Sequence, residues 1–323
     1  MSQALRLTDE DCLINVTAAA AYTGGEVVQL ADGRAAVYPR DVVSGELGAA
    51  STEGQFTVLK TVNPVWIDGG PIWWDHSANT ATSVKPTAAG DRDFYLGTAV
   101  GDATGAATTG IVNLNVKPVF EIDLHCDAFE CITVKTVVGS LTVEVPHIEN
   151  QGGTQSLIFG ATAEAQKLDL LSRRSFAVGS KWIVSGTFNI IDDGDAAAID
   201  FNIGVANATH ATDANSISER CLLHTDANVL DIIAWSTDGT TTVALTDTTV
   251  NYALNTPVTF VIDGRNLADI QIYIDGILVL GSTVFKLDAA TGPLKLLAHL
   301  EKTSDDETAR YNISDLKVRY AQQ

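Results

Sequence analysis

Glu121 and Asp123 stand two residues apart, which puts both carboxylates on one face of an extended segment. Paired acids can cleave a glycoside when one attacks the sugar and another, about 5 Å away, donates a proton. On one strand the pattern for that work is Glu-x-Asp with a further Glu four or five positions after the first. Here Leu124, His125 and Cys126 follow, and the next acid is Asp127. Along a strand Asp127 lies about 20 Å from Glu121, too far for a retaining pair. Glu121 and Asp123 therefore read as exposed acids on a strand, and no enzymatic activity is expected.

His125, Cys126 and Cys131 could suggest zinc, with His147 as the nearest further ligand. Structural zinc sites show Cys-x-x-Cys or closely spaced His pairs, and neither spacing occurs here. A core cysteine and a surface histidine account for them. Asp192, Asp193 and Asp195 crowd oxygens into one turn and are the calcium candidates. An acidic hairpin turn explains the same residues, because Asp and Gly favour turns anyway, so no metal is assigned. Gly179-Ser180-Lys181 lacks the earlier glycine of a phosphate-binding loop, and there is no Gly-x-Ser-x-Gly nucleophile elbow. No cofactor is expected. Trp66, Trp73, Trp74, Trp182 and Trp235 could stack on sugars, but their spread along the chain suits core or subunit-interface positions.

The elements holding these residues are strands. Of 323 residues, 46% are hydrophobic and 19% charged, so the chain buries cores, and its length suits two domains. Forty acidic against 20 basic residues give a net charge of −20, which repels nucleic acid and anionic lipid. No segment approaches the ~20 apolar residues of a membrane span. The N-terminus lacks a basic region followed by an apolar one, so no signal peptide is expected. Cys12, Cys126, Cys131 and Cys221 are too scattered for a disulfide framework and are expected reduced.

Residues 1–117 read as one domain of short strands. Val27 to Leu30 and Ala35 to Tyr38 flank the turn Asp32-Gly33. Phe56 to Leu59, Pro71 to Asp75, Phe94 to Val100 and Gly110 to Leu114 follow. This spacing predicts a small β-barrel or β-tulip. The first 22 residues pattern weakly, so that arm is expected to order only against a partner. Pro118 marks the break to a second domain, residues 118–323. Ile270, Ile272 and Ile274 share a strand face before the turn Asp275-Gly276, and Leu316, Val318 and Tyr320 alternate in the last strand. Trp182, Val184, Phe188 and Ile190 lead into Asp192-Asp193-Gly194, after which Ile199, Phe201 and Ile203 run back. Residues 161–171 have a helix-like composition but read as a strand pair beside such neighbours. The expected architecture is a two-sheet jelly roll.

In order, Gly25-Glu26-Val27-Val28-Gln29-Leu30-Ala31-Asp32-Gly33-Arg34-Ala35-Ala36-Val37, Gly54-Gln55-Phe56, Gly70-Pro71-Ile72-Trp73-Trp74-Asp75, Gly97-Thr98-Ala99-Val100 and Val112-Asn113-Leu114-Asn115 resemble the phage capsid cement, or head decoration, family. The resemblance covers about a third of the chain. It implies a β-tulip that trimerises on the outer surface of the capsid, with the major capsid protein as partner, in a virion protein made in the bacterial host cytoplasm. The hairpin around Ile272 to Gly276 and the strand Ile313 to Tyr320 resemble the concanavalin-A-like, laminin-G-like jelly roll. That fold hosts lectins, glycosidases and spacers, so it implies glycans only as an alternative partner.

Overall fold

A computed structural model of the chain describes residues 3–6, 13–85, 93–118, 122–123, 132–139, 141–144, 154–194, 199–210, 213–227 and 229–320. It divides into two compact units, Met1–Val119 and, the turn Asp275–Ile277 excepted, Phe120–Gln323. Both are all-β: the described residues hold no α-helix, only one 3₁₀ turn at Ala214–Ser216.

The first unit contains β1 (Ala4–Arg6), β2 (Leu13–Thr17), β3 (Val27–Gln29), β4 (Ala35–Val37), β5 (Leu47–Ser51), β6 (Gln55–Leu59), β7 (Pro71–Asp75), β8 (Thr80–Thr82), β9 (Phe94–Ala99) and β10 (Thr109–Leu114). They form two open antiparallel sheets, ordered β1-β6-β10-β9-β7-β8 and β2-β5-β4-β3. Of the two forms expected, a small barrel or a β-tulip, the closed barrel is not the one formed by the described strands. In the β3–β4 hairpin Gly33 takes the positive φ of 87° that the turn requires. Its apolar residues do not alternate with polar ones, so both of its faces are buried. Val27, Ala35 and Val37 join the core of the larger sheet with Phe56, Ile72, Trp74 and Leu96. Val28, Ala36 and Tyr38 join a second core with Ala18, Val42 and Ala50.

The described residues of the N-terminal arm pair within the chain. Ala4, Leu5 and Arg6 pair with Val58, Thr57 and Phe56. Leu13 to Thr17 pair with Ser51 to Leu47, and Tyr22 stacks on Tyr38 at 5.0 Å between ring centroids. Strand pairing satisfies the backbone that a weak hydrophobic pattern left unassigned.

The second unit contains β11 (Ile122–Asp123), β12 (Ile132–Val138), β13 (Leu141–Glu144), β14 (Gln155–Phe159), β15 (Glu164–Ser172), β16 (Phe176–Ala177), β17 (Trp182–Asp192), β18 (Ile199–Ala206), β19 (Glu219–Asp226), β20 (Asp231–Asp238), β21 (Thr242–Asn251), β22 (Val258–Gly264), β23 (Gln271–Ile274), β24 (Ile277–Val279), β25 (Pro293–Asp305) and β26 (Ala309–Tyr320). One sheet runs β13-β14-β26-β17-β22-β23-β24, with β11 beside β26; the other runs β12-β15-β25-β18-β19-β20-β21, with β16 beside β25. This is the expected jelly-roll sandwich. Its core is aromatic at the centre: Phe188 lies 5.8 Å from Phe201 across the sheets, and Phe201 lies 4.8 Å from Tyr311.

The helix-like stretch from 161 is not a strand pair: from Glu164 it is the single nine-residue strand β15, whose two edges are taken by β12 and β25. The turn at Asp192-Asp193-Gly194 is not a hairpin. β17 pairs with β22 and β26, whereas β18 pairs with β19 and β25. Both strands send alternate residues, Val184, Phe188 and Ile190 and then Ile199, Phe201 and Ile203, into one core, and crossing between sheets lets both sets face it.

Candidate functional site

Two surfaces carry the residues of interest. The first is the β2 end of the small N-terminal sheet, where the face that elsewhere carries Val37 into the core lies open. Residues directly opposite each other share a face, so Leu13, Asn15 and Thr17 lie with Ser51, Ala49 and Leu47. Leu13 is 42% exposed and Leu47 65%, while the other face supplies Val16 and Ala50 to the core. Val43, in the turn before β5, is also 65% exposed, as is Leu5 on the sheet-edge strand β1 at 66%. β1, β2, β3 and β8 are the terminal strands of the two sheets.

The second surface is the outer face of the β15-β25-β18-β19 ladder, which is organised in transverse rows. Lys167, Glu301, Asp200 and Asp226 form one row. Asp169, His299, Asn202 and His224 form the next. Leu171, Leu297, Gly204, Leu222 and Trp235 form the third. The core-facing residues between them are apolar except Thr225, so the same strands are mainly apolar inward and graded from charged to apolar outward.

The apolar row is covered by the β18–β19 connection, where Ala214 and Ile217 pack on Leu222, Trp235 and Leu297. Arg220 lies over the Trp235 ring, 4.0 Å from its centroid, and donates to the Ile217 carbonyl. Gly204 keeps this region tight. A Cβ there would lie 2.5 Å from the Cys221 carbonyl oxygen and 3.0 Å from Ile262 Cδ1.

In the middle row His299 is fully buried between two acids. Its Nδ1 meets Asp169, and its Nε2 lies 2.8 Å from Glu301 Oε2. Lys167 Nζ lies 3.0 Å from the other Asp169 oxygen, at ion-pair distance but off hydrogen-bonding geometry. Burial alone would lower the His299 pKa; contact with Asp169 and Glu301 outweighs it and pushes it up to about 9. The imidazolium is the charge that lets two carboxylates share this interior.

At the ladder's end, His224 Nδ1 lies 3.0 Å from Asn202 Oδ1, and its Nε2 lies 2.7 Å from Asp226 Oδ1. Asp200 stands opposite Asp226, and the ligand atoms of Asp200, His224 and Asp226 all lie within 4.8 Å of one another. Burial, then the neighbouring Asp226 carboxyl, holds Asp200 up at about 7.

The residues singled out by sequence fall elsewhere. Glu121, His125, Cys126, Asp127, Cys131, His147 and Asp195 lie outside the described residues, as does the side chain of Asp123. Asp192 accepts from Gly194 N at 3.1 Å and from Thr308 Oγ1 at 2.8 Å. Asp193 accepts from the Tyr252 hydroxyl at 2.8 Å. Trp66, Trp74 and Trp182 are fully buried and Trp235 is 3% exposed, while Trp73 is half-buried, edge-on to Tyr95 at 6.0 Å. Cys221 is a buried free thiol pushed up to about 12. The cluster of Asp200, His224 and Asp226 was missed. Its signal was the alternation Asp200-x-Asn202 and His224-x-Asp226, but only the register of β18 on β19 joins those two halves.

Residues 8–114 match the profile of a family described as phage cement protein. No curated protein matches the chain. Among solved structures, the potassium-bound carbohydrate recognition domain of Emp46p shares 11% identity over 63% of this chain and 95% of its own, at a TM-score of 0.40. Carbohydrate binding module CBM66 from Bacillus subtilis shares 13% over 58% of this chain and 96% of its own, at 0.35.

Proposed function

We propose that the chain is a capsid cement protein: it binds the outer surface of a phage head as a trimer, contacts the major capsid protein, and stabilises the shell without catalysing a reaction. The observation that carries this reading is the family match over residues 8–114, which spans most of the first compact unit. The exposed leucines and valines of that unit support it, because apolar residues at the ends and outer faces of small sheets are a means of docking onto another protein. Residues 1–117 would form the cement domain and residues 118–323 an appended jelly roll facing outward. The net charge of −20 suits a protein crowded at high density on a shell and disfavours packaged nucleic acid as its partner.

The test is co-sedimentation of the full chain with heads of its own phage prepared without it, together with its solution mass by light scattering. Saturable binding, a rise in the heat resistance of the heads and a trimeric mass are expected. Failure to co-sediment at molar excess would overturn the reading. Binding on a glycan array instead would make the chain a carbohydrate-binding module.

A further inference from the structure

We infer that Asp200, His224 and Asp226 form a binding site for one divalent cation of the zinc class on the outer face of the second unit. Their ligand atoms lie within 4.8 Å of one another, a spacing that lets all three reach a single ion. The strands fix them there. Asp200 faces Asp226 and Asn202 faces His224 across β18 and β19, a run of continuous antiparallel pairing. No loop need close to assemble the site.

The hydrogen bonding of His224 is the second observation. Its ring is 6% exposed, and Nδ1 lies 3.0 Å from the amide oxygen of Asn202, which only accepts. Nε2, the other ring nitrogen, points at Asp226 Oδ1, 2.7 Å away, and so into the group of three. A metal-bound histidine whose other nitrogen donates to an oxygen is the usual arrangement that fixes tautomer and ring angle. Asn202, 1% exposed, is the orienting partner here.

The donor set selects the ion. Calcium and magnesium take oxygen alone, whereas one imidazole with two carboxylates suits zinc or, less tightly, manganese. Glu301, opposite Asp200 on β25, adds negative charge beside the site. The second acidic group, Asp305, Asp306 and Glu307, contains no histidine and carries no such inference.

The experiment is calorimetric titration of the full chain, first stripped with a chelator, with zinc chloride, and with calcium chloride as the contrast. Cobalt(II) in the same site gives a visible absorption band that reports nitrogen and oxygen ligands. One equivalent of zinc is expected, with little heat from calcium. Affinity should fall about tenfold or more in His224→Gln and Asp226→Asn, and by about tenfold when the orienting amide is removed in Asn202→Ala. Asp200→Asn removes a charge and no volume, so it keeps the fold and should also weaken binding. Asp306→Asn should bind as the unaltered chain does. No zinc uptake, or uptake unchanged in Asp200→Asn and Asp226→Asn with circular dichroism intact, would overturn the inference. Neither result bears on capsid binding.

Discussion

His299 and Asp169 meet across β25 and β15 with both side chains fully buried, and the imidazole is held between Asp169 and Glu301. A buried charge survives there because its partners are buried with it. Removing one of them leaves the others uncompensated.

The first prediction follows from that pairing. The folded protein holds the His299 proton to about 9, whereas an ordinary histidine releases it near 6.5. The native state thus binds more protons between those values, and stability falls with rising pH across that window. The contribution is fully present below pH 6.5 and is lost as pH rises through about 9. His299→Gln should cost about 3 kcal/mol near pH 6 and less at pH 10. Urea unfolding at both pH values measures the difference; an equal cost at the two would contradict it.

Gly204 stands where a side chain has no room, at a φ of 150°; a Cβ there would lie 2.5 Å from the Cys221 carbonyl oxygen. Gly204→Ala should destabilise the second unit by about 2 kcal/mol. Thermal melting is the measurement, and an unchanged midpoint would mean the ladder can spread without cost.

Tyr252 donates its buried hydroxyl to Asp193 Oδ2 at 2.8 Å. Deleting that donor in Tyr252→Phe leaves a carboxylate short of a partner, so a loss of about 1–2 kcal/mol is expected from chemical denaturation. A neutral result would show that solvent replaces the hydroxyl.

On the proposed capsid-binding reading, Leu13 and Leu47 dock the β2 end of the small sheet. Both are exposed, at 42% and 65%, so Leu13→Lys with Leu47→Lys should leave the melting temperature within about 1 °C. Co-sedimentation with undecorated heads should drop at least tenfold. Retained binding would move the docking surface away from this sheet.

The sequence by itself determined the strands. Val258, Phe260 and Ile262, or Ile272 and Ile274 before Asp275-Gly276, state period two and turn chemistry locally, and a strand's faces follow from alternation alone. The ordered motifs between Gly25 and Asn115 pointed to the same family as the profile over residues 8–114. Tertiary structure decided what pairs with what. Asp192 to Gly194 looks like a hairpin turn, yet β17 and β18 part into different sheets, because only burial on a shared core distinguishes those outcomes. The Ala35 to Val37 run became a strand buried on both sides, and the strands around it form two open sheets rather than a closed barrel. Asp200 and Asp226 are 26 positions apart in sequence and directly opposed in space. Register between distant strands is a property of the assembled sheets, so the acid–histidine rows exist only once those sheets have formed.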